Sequence, residues 1–328
     1  MEKVLVIGGA GYVGSQLVPS LLESGRFVRV FDTFWYGHNH FQHLADKNLQ
    51  LIQGDIRNII QLRSALESID VVIHLACVSN DPSFDLNPAL GKTINLDCFP
   101  PFIDLLNKSS VTRFIYASSS SVYGIREELT VSENLELKPL TDYSKYKAMC
   151  EAILLNEVSD NIISTVVRPA TICGFSLRQR FDLVVNILTA QAIRFRQIKV
   201  FGGSQYRPNL DIRDMVDAYL ALLDSNPSSI HKEVFNIGSK NLKVDEIALA
   251  VQAEIGSDIE IMVEETNDLR SYRIDSTKIS KAIGFTPKFS INESISNLRD
   301  NFYKFNSLNP LTDSKFVNIL RMKELNLG

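Results

Sequence analysis

The opening stretch constrains this chain more than any other. Val4-Leu-Val-Ile7 is an apolar run of the kind that forms a strand buried on both faces, and it leads straight into glycines at 8, 11 and 14. A helical pattern from Ser15 to Leu22 follows. Strand, glycine-punctuated turn and helix in this order make a site for a dinucleotide. The first glycine permits the tight turn, the second lets backbone approach a pyrophosphate, and the third allows close packing of helix on strand. The spacing Gly8-x-x-Gly11-x-x-Gly14 departs from G-x-G-x-x-G only in where the first glycine falls. A second strand pattern, Phe27 to Phe31, ends at Asp32, where an acidic side chain accepts from the adenosine ribose hydroxyls. A carboxylate there repels a 2′-phosphate, so the expected cofactor is NAD rather than NADP.

Strand and helix patterns go on alternating. Leu49 to Ile52 reads as a strand ending at Gly54-Asp55-Ile56-Arg57, Ile59 to Ser68 as a helix, and Val71 to Ala76 as another buried strand. Leu90 to Asn107 reads as a long helix that Pro100-Pro101 should kink or split, and Arg113 to Ala117 as a fifth strand. This order predicts an α/β doubly wound parallel sheet with helices on both faces and ligands at the carboxyl ends of its strands. A chain of 328 residues suffices for one large or two ordinary domains. The net charge of −4 argues against nucleic acid as a main partner. The four cysteines show no C-x-x-C pairing and read as reduced core thiols. With no membrane-spanning run and a strand rather than a signal peptide at the N-terminus, the expectation is a cytoplasmic protein.

The loop from Thr33 to His43 carries Trp35, Tyr36, His38, His40 and His43. No helix aligns those imidazoles, and Asp46 is the only nearby acid, so the loop reads as a neighbour of the adenosine half of the cofactor and no metal site is expected. Asp55 is placed either to meet the adenine amino group, with Ile56 as an apolar wall, or simply to shape a turn. His74 lies inside an apolar run and reads as a core histidine. Leu75 and Ala76 fall near the nicotinamide ribose, and Ser79 and Asn80 lie in a small, polar loop that could face a substrate.

The fifth strand ends in Ser118-Ser-Ser-Ser-Val-Tyr-Gly124, and Tyr143-x-x-x-Lys147 opens a later helix. Tyrosine and lysine at i and i+4 share a helix face. The ammonium, with a positive nicotinamide ring, is expected to lower the phenol's pKa so that Tyr143 serves as a base near neutral pH. A serine hydroxyl from the strand end could hold the same substrate oxygen.

Taken together, Gly8-Gly-Ala-Gly11-Tyr-Val-Gly14, Gly54-Asp-Ile-Arg57, His74-Leu-Ala76, the serine run through Gly124, Tyr143-x-x-x-Lys147, Arg168-Pro-Ala-Thr-Ile-Cys-Gly174 and Arg207-Pro-Asn-Leu-Asp-Ile-Arg-Asp214 resemble the extended short-chain dehydrogenase/reductases, in their nucleotide-sugar epimerase/dehydratase branch. The resemblance covers nearly the whole chain. It implies a Rossmann-type NAD-binding domain over residues 1–170, with a returning segment around 231–250, and a smaller α/β lobe for the sugar nucleotide over most of 171–328. It implies Ser119, Tyr143 and Lys147 as the catalytic set. The cofactor would be held by Gly8, Gly11, Tyr12, Val13 and Gly14, by Asp32, Asp55, Ile56, Leu75 and Ala76, and by Asn95, Tyr143, Lys147 and Arg168. The sugar nucleotide would meet Ser79, Asn80, Ser120, Ser121 and Thr171. Among Arg178, Arg180, Arg207 and Arg270, all candidates for a diphosphate, Arg207 and Arg270 occupy the family's usual phosphate-contacting stretches. A homodimer through a four-helix bundle of the 90–107 and 143–156 helices is also implied.

One departure bears on chemistry. The 4,6-dehydratases of the family follow the catalytic threonine with Asp-Glu, whereas Ser120 and Ser121 stand here, and hydroxyls are poor acids and bases at neutral pH. The expected reaction is therefore oxidation of a nucleotide-diphospho-sugar at a ring hydroxyl, C4 by the family's habit. Epimerisation follows if the ketone is reduced again, and a 4-dehydrogenase results if it is not. A reductase of a non-sugar carbonyl and a dinucleotide-sensing regulator are the other readings, opposed by the arginines and by the intact Tyr-Lys pair respectively. From Asn309 onward the chain reads as an amphipathic helix or tail without evident chemistry.

Overall fold

The apolar runs of the first half become the strands of one parallel sheet in the computed structural model, which describes residues 1–328 except 43, 45, 46, 129 and 267–270. In chain order the strands are β1 (Lys3–Ile7), β2 (Phe27–Asp32), β3 (Leu49–Gln53), β4 (Val71–His74), β5 (Arg113–Ala117), β6 (Ile163–Pro169), β7 (Thr171–Cys173), β8 (Gln197–Phe201), β9 (Tyr206–Asp211), β10 (Glu233–Ile237), β11 (Lys240–Lys243) and β12 (Glu260–Glu264). Seven of them form the main sheet in the order β10-β6-β5-β4-β1-β2-β3, every pairing parallel. From β1 the chain builds outward through β2 and β3, then crosses back to β4. That reversal opens a crevice above the carboxyl ends of β1 and β4, the usual ligand position in such sheets.

Helices cover both faces of the sheet over its central strands β1 and β4, which are apolar and buried, while the edge strand β3 alternates glutamine with apolar residues and is largely exposed. Val4, Leu5 and Val6 are fully buried, and each such side chain contributes about 1.5–3 kcal/mol over exposure. The long helix foreseen over 90–107 is split. Pro88–Lys92 is α-helical, Thr93–Asp97 is a π-turn, and Phe99–Asn107 resumes as α-helix with Pro100 and Pro101 in its first turn. Proline lacks the N–H that a helix interior needs and is tolerated where that donor has no partner anyway. Another short helix, Asp81–Leu86, occupies part of the region read as loop, with Asn80 as its cap.

The second lobe is smaller. β9 pairs parallel with β7 and antiparallel with β11, β8 pairs parallel with β12, and the helices Val184–Phe195, Val244–Ile255 and Ile291–Asn301 share a core around Leu188, Ile247 and Ile295. The segment around 231–250 expected to return does so, supplying β10 beside β6 of the main sheet. The tail then crosses back. Phe316 packs with Phe181, Phe302 and Phe305, after which the helix Asn318–Glu324 places Met322 in the core of the main sheet. Among the described residues, no helix is long and apolar enough to cross a membrane.

Candidate active site

A cavity of about 660 Å³ opens above the carboxyl ends of β1, β2, β4 and β5. The glycine turn closes one end of it. Gly8 has a φ of +79°, and a Cβ there would lie 2.5 Å from the backbone nitrogen of Ala76. Gly14 is equally confined by the backbone of Gly9, whereas a Cβ on Gly11 would meet nothing closer than the Gly8 carbonyl at 3.4 Å. The turn is thus packed on its protein side and open toward the cavity at Gly11, as an approaching phosphate group requires. Asp32 lines the same end, accepting from Ala10 N at 3.0 Å and Phe34 N at 2.8 Å. Burial pushes its carboxyl up, and those backbone donors oppose the rise.

The chemical end lies under β5. Ser119 caps the 3₁₀ turn Ser120–Tyr123, its Oγ accepting from Ser121 N at 3.1 Å and from Ser121 Oγ at 2.9 Å. Tyr143 opens the Asp142–Glu157 helix, which starts there because Thr141 and Ser144 form a reciprocal capping box. The Tyr143 phenol stands near Ser119, whose hydroxyl acts to lower its pKa. Both residues line the cavity with Ser79, Asn80, Ser120, Ser121, Thr171, Arg180 and Arg207, and with Val13, Ile56, Leu75 and Ala76.

Four expectations need correcting. The Tyr143 phenol stands raised rather than lowered, and the Lys147 ammonium donates to the Ala117 carbonyl at 2.6 Å, beside the Tyr116 ring. Burial raises the Tyr143 phenol, Cys77 and Asp81 raise it further, and the Ser119 hydrogen bond and Arg180 pull it back only in part. Asn95 does not line the cavity. Its side chain accepts from Val78 N at 2.8 Å and donates to Val78 O at 3.0 Å, fixing the loop that carries Ser79. Arg168 likewise sits behind the site, in a buried ion pair with Glu151 at 2.5 Å, and donates to Tyr123 Oη at 2.8 Å. Glu151 also accepts from Ser118 Oγ, so this pair ties β6 and the catalytic helix to the residue before Ser119. Tyr12 lines the cavity, but its hydroxyl donates to Gly174 O at 2.7 Å and is a strut between the lobes.

Other candidates have mixed roles. Asp55 lines the cavity and also shapes the turn, accepting from Arg57 N at 2.9 Å and pairing with Arg57 Nη2 at 2.6 Å, which holds its carboxyl below the usual range. Asn80 caps the 81–86 helix and donates to Asp182 Oδ2 at 2.8 Å. His74 is fully buried among Phe99, Phe102 and Tyr116, and burial pushes its imidazole down to about 3. Burial raises the thiols of Cys98 to about 12 and Cys150 to about 11, as for inert core cysteines. His38 packs on Phe34 and His40 on Phe41. Arg270, His43 and Asp46 lie outside the described residues.

The far wall was not foreseen as a unit. The segment 176–181 reads as a polar, basic loop, yet Ser176, Arg178, Gln179, Arg180 and Phe181 are all buried. It docks on the glycine turn: Ser176 Oγ donates to Tyr12 O at 2.7 Å, and Arg178 N donates to Ser15 Oγ at 3.1 Å. Arg178 stacks on the Tyr36 ring at 3.6 Å, and burial pulls its guanidinium down to about 10. Arg180 donates to Asp182 Oδ1 at 2.8 Å and to Ser79 Oγ at 3.1 Å. Burial alone would lower Arg180, but the Asp182 carboxylate outweighs it. Arg178 Nε and Arg180 Nη2 are buried without hydrogen-bond partners, so this wall offers unused donors to an anionic ligand. Asn318, Ile319 and Met322 of the tail helix complete the lining. No local motif announces them; only the amphipathic pattern of the tail hinted that it packs on something.

Known proteins share this arrangement. The chain is 29% identical to the UDP-glucose 4-epimerase of Lactobacillus helveticus over 87% of its own length and 92% of that protein's. It is 28% identical to UDP-glucuronic acid decarboxylase 2 of Arabidopsis thaliana over 89% of its own length and 66% of the relative's. Among solved structures, UDP-glucuronic acid 4-epimerase from Bacillus cereus in complex with UDP-glucuronic acid and NAD superposes with a TM-score of 0.83 at 27% identity, covering 92% of this chain and 99% of that one. The UDP-glucose 4-epimerase of Thermotoga maritima with UDP-glucose gives 0.83 at 25% identity, covering 93% and 100%. Residues 4–238 match the profile of the NAD dependent epimerase/dehydratase family, and with the glycine turn, Asp32 and the Ser119–Tyr143 pair in place the chain is a member of that family.

Proposed function

We propose that this enzyme is a nucleotide-sugar 4-epimerase that uses NAD. The observation that carries the reading is that Ser119 and Tyr143 line one cavity whose opposite wall holds guanidinium donors without hydrogen-bond partners. The floor suits an alcohol and the wall suits a diphosphate. The residues fit the dinucleotide: Gly11 leaves room for a phosphate, Asp32 would accept from the adenosine ribose, and Ala76 and Tyr143 would face the nicotinamide end. When bound, the dinucleotide supplies a hydride acceptor and a positive ring charge.

With the positive ring charge of the bound dinucleotide beside it favouring its phenolate form, Tyr143 would accept the C4 hydroxyl proton as that carbon is oxidised, and Ser119 would hold the oxygen through the change to a ketone. The proton returns from Tyr143 when the hydride comes back to the opposite face, so the product differs only in configuration at C4. Lys147 keeps the Ala117 strand end in place. Arg180 and Arg207 would hold the diphosphate, with Ser79, Asn80, Ser120, Ser121 and Thr171 around the sugar. Ser120 and Ser121 provide no carboxyl pair for eliminating water, which supports epimerisation over dehydration.

The test is incubation of purified enzyme with UDP-glucose and UDP-glucuronate, following reduced nicotinamide by absorbance and sugar configuration by NMR. A new C4 isomer without lasting reduction is the expected result. Lasting reduction with a stable 4-ketone would replace this reading by a 4-dehydrogenase. The reading includes a homodimer through the helices Phe99–Asn107 and Asp142–Glu157, the latter exposing Met149. Light scattering giving twice the 36.9 kDa chain mass supports the dimer, and the single chain mass refutes it.

A further inference from the structure

Three polar side chains stand directly behind the turn that carries Ser119, and the proton transfer proposed above uses none of them. Ser118, Glu151 and Arg168 are 5%, 2% and 5% exposed. A carboxylate and a guanidinium buried so deeply are costly to hold unless each finds several partners. Glu151 accepts from Arg168 Nε at 3.0 Å and Nη2 at 2.5 Å, and its Oε1 accepts from Ser118 Oγ. Arg168 Nη1 donates to Tyr123 Oη at 2.8 Å, and that hydroxyl donates to Asn236 Oδ1 at 2.7 Å.

Ser118 and Tyr123 fall at the two ends of one short turn. Ser119 caps the 3₁₀ turn Ser120–Tyr123, so Ser118 stands just before the cap and Tyr123 closes the turn. A single ion pair therefore grips the turn at both ends, through Glu151 on one side and Arg168 on the other. The backbone of Ser118 is fixed as well, its N–H donating to Val167 O at 2.8 Å, next to Arg168 on β6. Ser119 is left partly exposed in the cavity.

The same carboxylate sets the turn against Tyr143. Residues 143, 147 and 151 follow at i, i+4 and i+8 on one face of the helix Asp142–Glu157. Lys147 reaches the Ala117 carbonyl and Glu151 the Ser118 hydroxyl, successive residues as the chain leaves β5, and Tyr143 stands near Ser119, the next. The helix is thus registered on the strand end residue by residue. A hydroxyl that must meet the same substrate oxygen as the phenol needs to be held within about 0.5 Å, and a charge-assisted hydrogen bond holds more tightly than a neutral one.

We infer that Ser118 is a positioning residue, through which the Glu151–Arg168 pair holds Ser119 at the substrate oxygen beside Tyr143. This rests on the Ser119–Tyr143 chemistry proposed above. The Ser118 hydroxyl is engaged by Glu151, so what it supplies is the orientation of its neighbour. Its loss leaves dinucleotide and sugar-nucleotide binding in place and slows the chemical step, but only while Ser119 has a hydroxyl to be positioned.

The experiment is a double-mutant cycle on the full-length protein. For wild type, Ser118→Ala, Ser119→Ala and the double variant, kcat and KM are measured with UDP-glucose or UDP-glucuronate, whichever wild type turns over, and dinucleotide affinity by titration calorimetry. Ser118→Ala should lower kcat about tenfold, as a small misplacement of a reacting group does, with KM and dinucleotide affinity near wild type. Ser119→Ala should lower kcat about a hundredfold, and adding Ser118→Ala to it should lower kcat less than about twofold further. Tyr123→Phe, which releases the other end of the turn, should follow the same pattern and decides if Ser118→Ala does not fold. Equal fold losses with and without the Ser119 hydroxyl, no loss in kcat, or a rise in KM alone overturns the inference while leaving the functional reading intact. Wild-type protein that turns over no sugar nucleotide, or Ser119→Ala working at the wild-type rate, overturns the functional reading itself, and the positioning role with it.

Discussion

The floor of the cavity, where β5 delivers Ser119 and the helix Asp142–Glu157 delivers Tyr143, differs in kind from the far wall, where Arg178, Arg180, Asp182 and Asn318 meet. On the floor the groups facing the cavity are neutral hydroxyls, and the charges stand one layer behind, in Lys147 and the Glu151–Arg168 pair. On the wall the charges face the cavity and retain unused donors. The floor is anchored in a parallel sheet, which fixes a proton-transfer distance. The wall is a loop and a tail helix held by side chains, which suits recognition of a charged group.

That contrast can be broken most sharply at Tyr143. Tyr143→Phe should lower kcat about a thousandfold, within the range for loss of a general acid–base group, while dinucleotide binding measured by titration calorimetry stays near wild type. If kcat survives, the floor does not do the chemistry.

The next largest effect is expected behind the floor. Glu151→Gln leaves the Arg168 guanidinium buried without its carboxylate, and urea unfolding should show a loss of about 3 kcal/mol. Pairing Glu151→Gln with Arg168→Met should recover part of it, because the cost lies in the unmatched charge. Loss of the same size in both variants would show that packing, rather than charge, is at stake.

A pH effect comes third, from His74. Its folded pKa of about 3 lies below the unfolded value near 6.5, so between these the unfolded chain binds a proton that the folded chain does not. Stability therefore falls as pH drops through that window, by about 2 kcal/mol between pH 6.5 and 5 for this one group. His74→Leu should remove that slope, seen as the difference in urea midpoints at the two pH values. An unchanged slope would assign the acid sensitivity elsewhere.

The smallest effect sharpens the wall. Arg207→Ala should raise KM for the sugar nucleotide about tenfold, as expected for one charged hydrogen bond, with kcat nearly unchanged. A matching fall in kcat would place Arg207 with the reacting atoms instead.

Local pattern alone gave the strand–turn–helix opening, the alternation of strand and helix behind the parallel sheet, the position of Asp32, and Tyr143 with Lys147 on one helix face. All of these depend on near neighbours: periodicity of two or 3.6 residues, glycine where backbone must approach backbone, and i to i+4 spacing on one helix. Only the tertiary structure decided the destination of Lys147, the withdrawal of Arg168 to Glu151, the burial of Arg178 and Arg180, and the tail helix as a wall. A charged side chain goes to whichever partner the fold brings within about 3 Å, and for Asn318 those partners are Ser79, Arg178 and Asp182, far away along the chain. No local pattern encodes such meetings, because burial and charge pairing are properties of the assembled molecule.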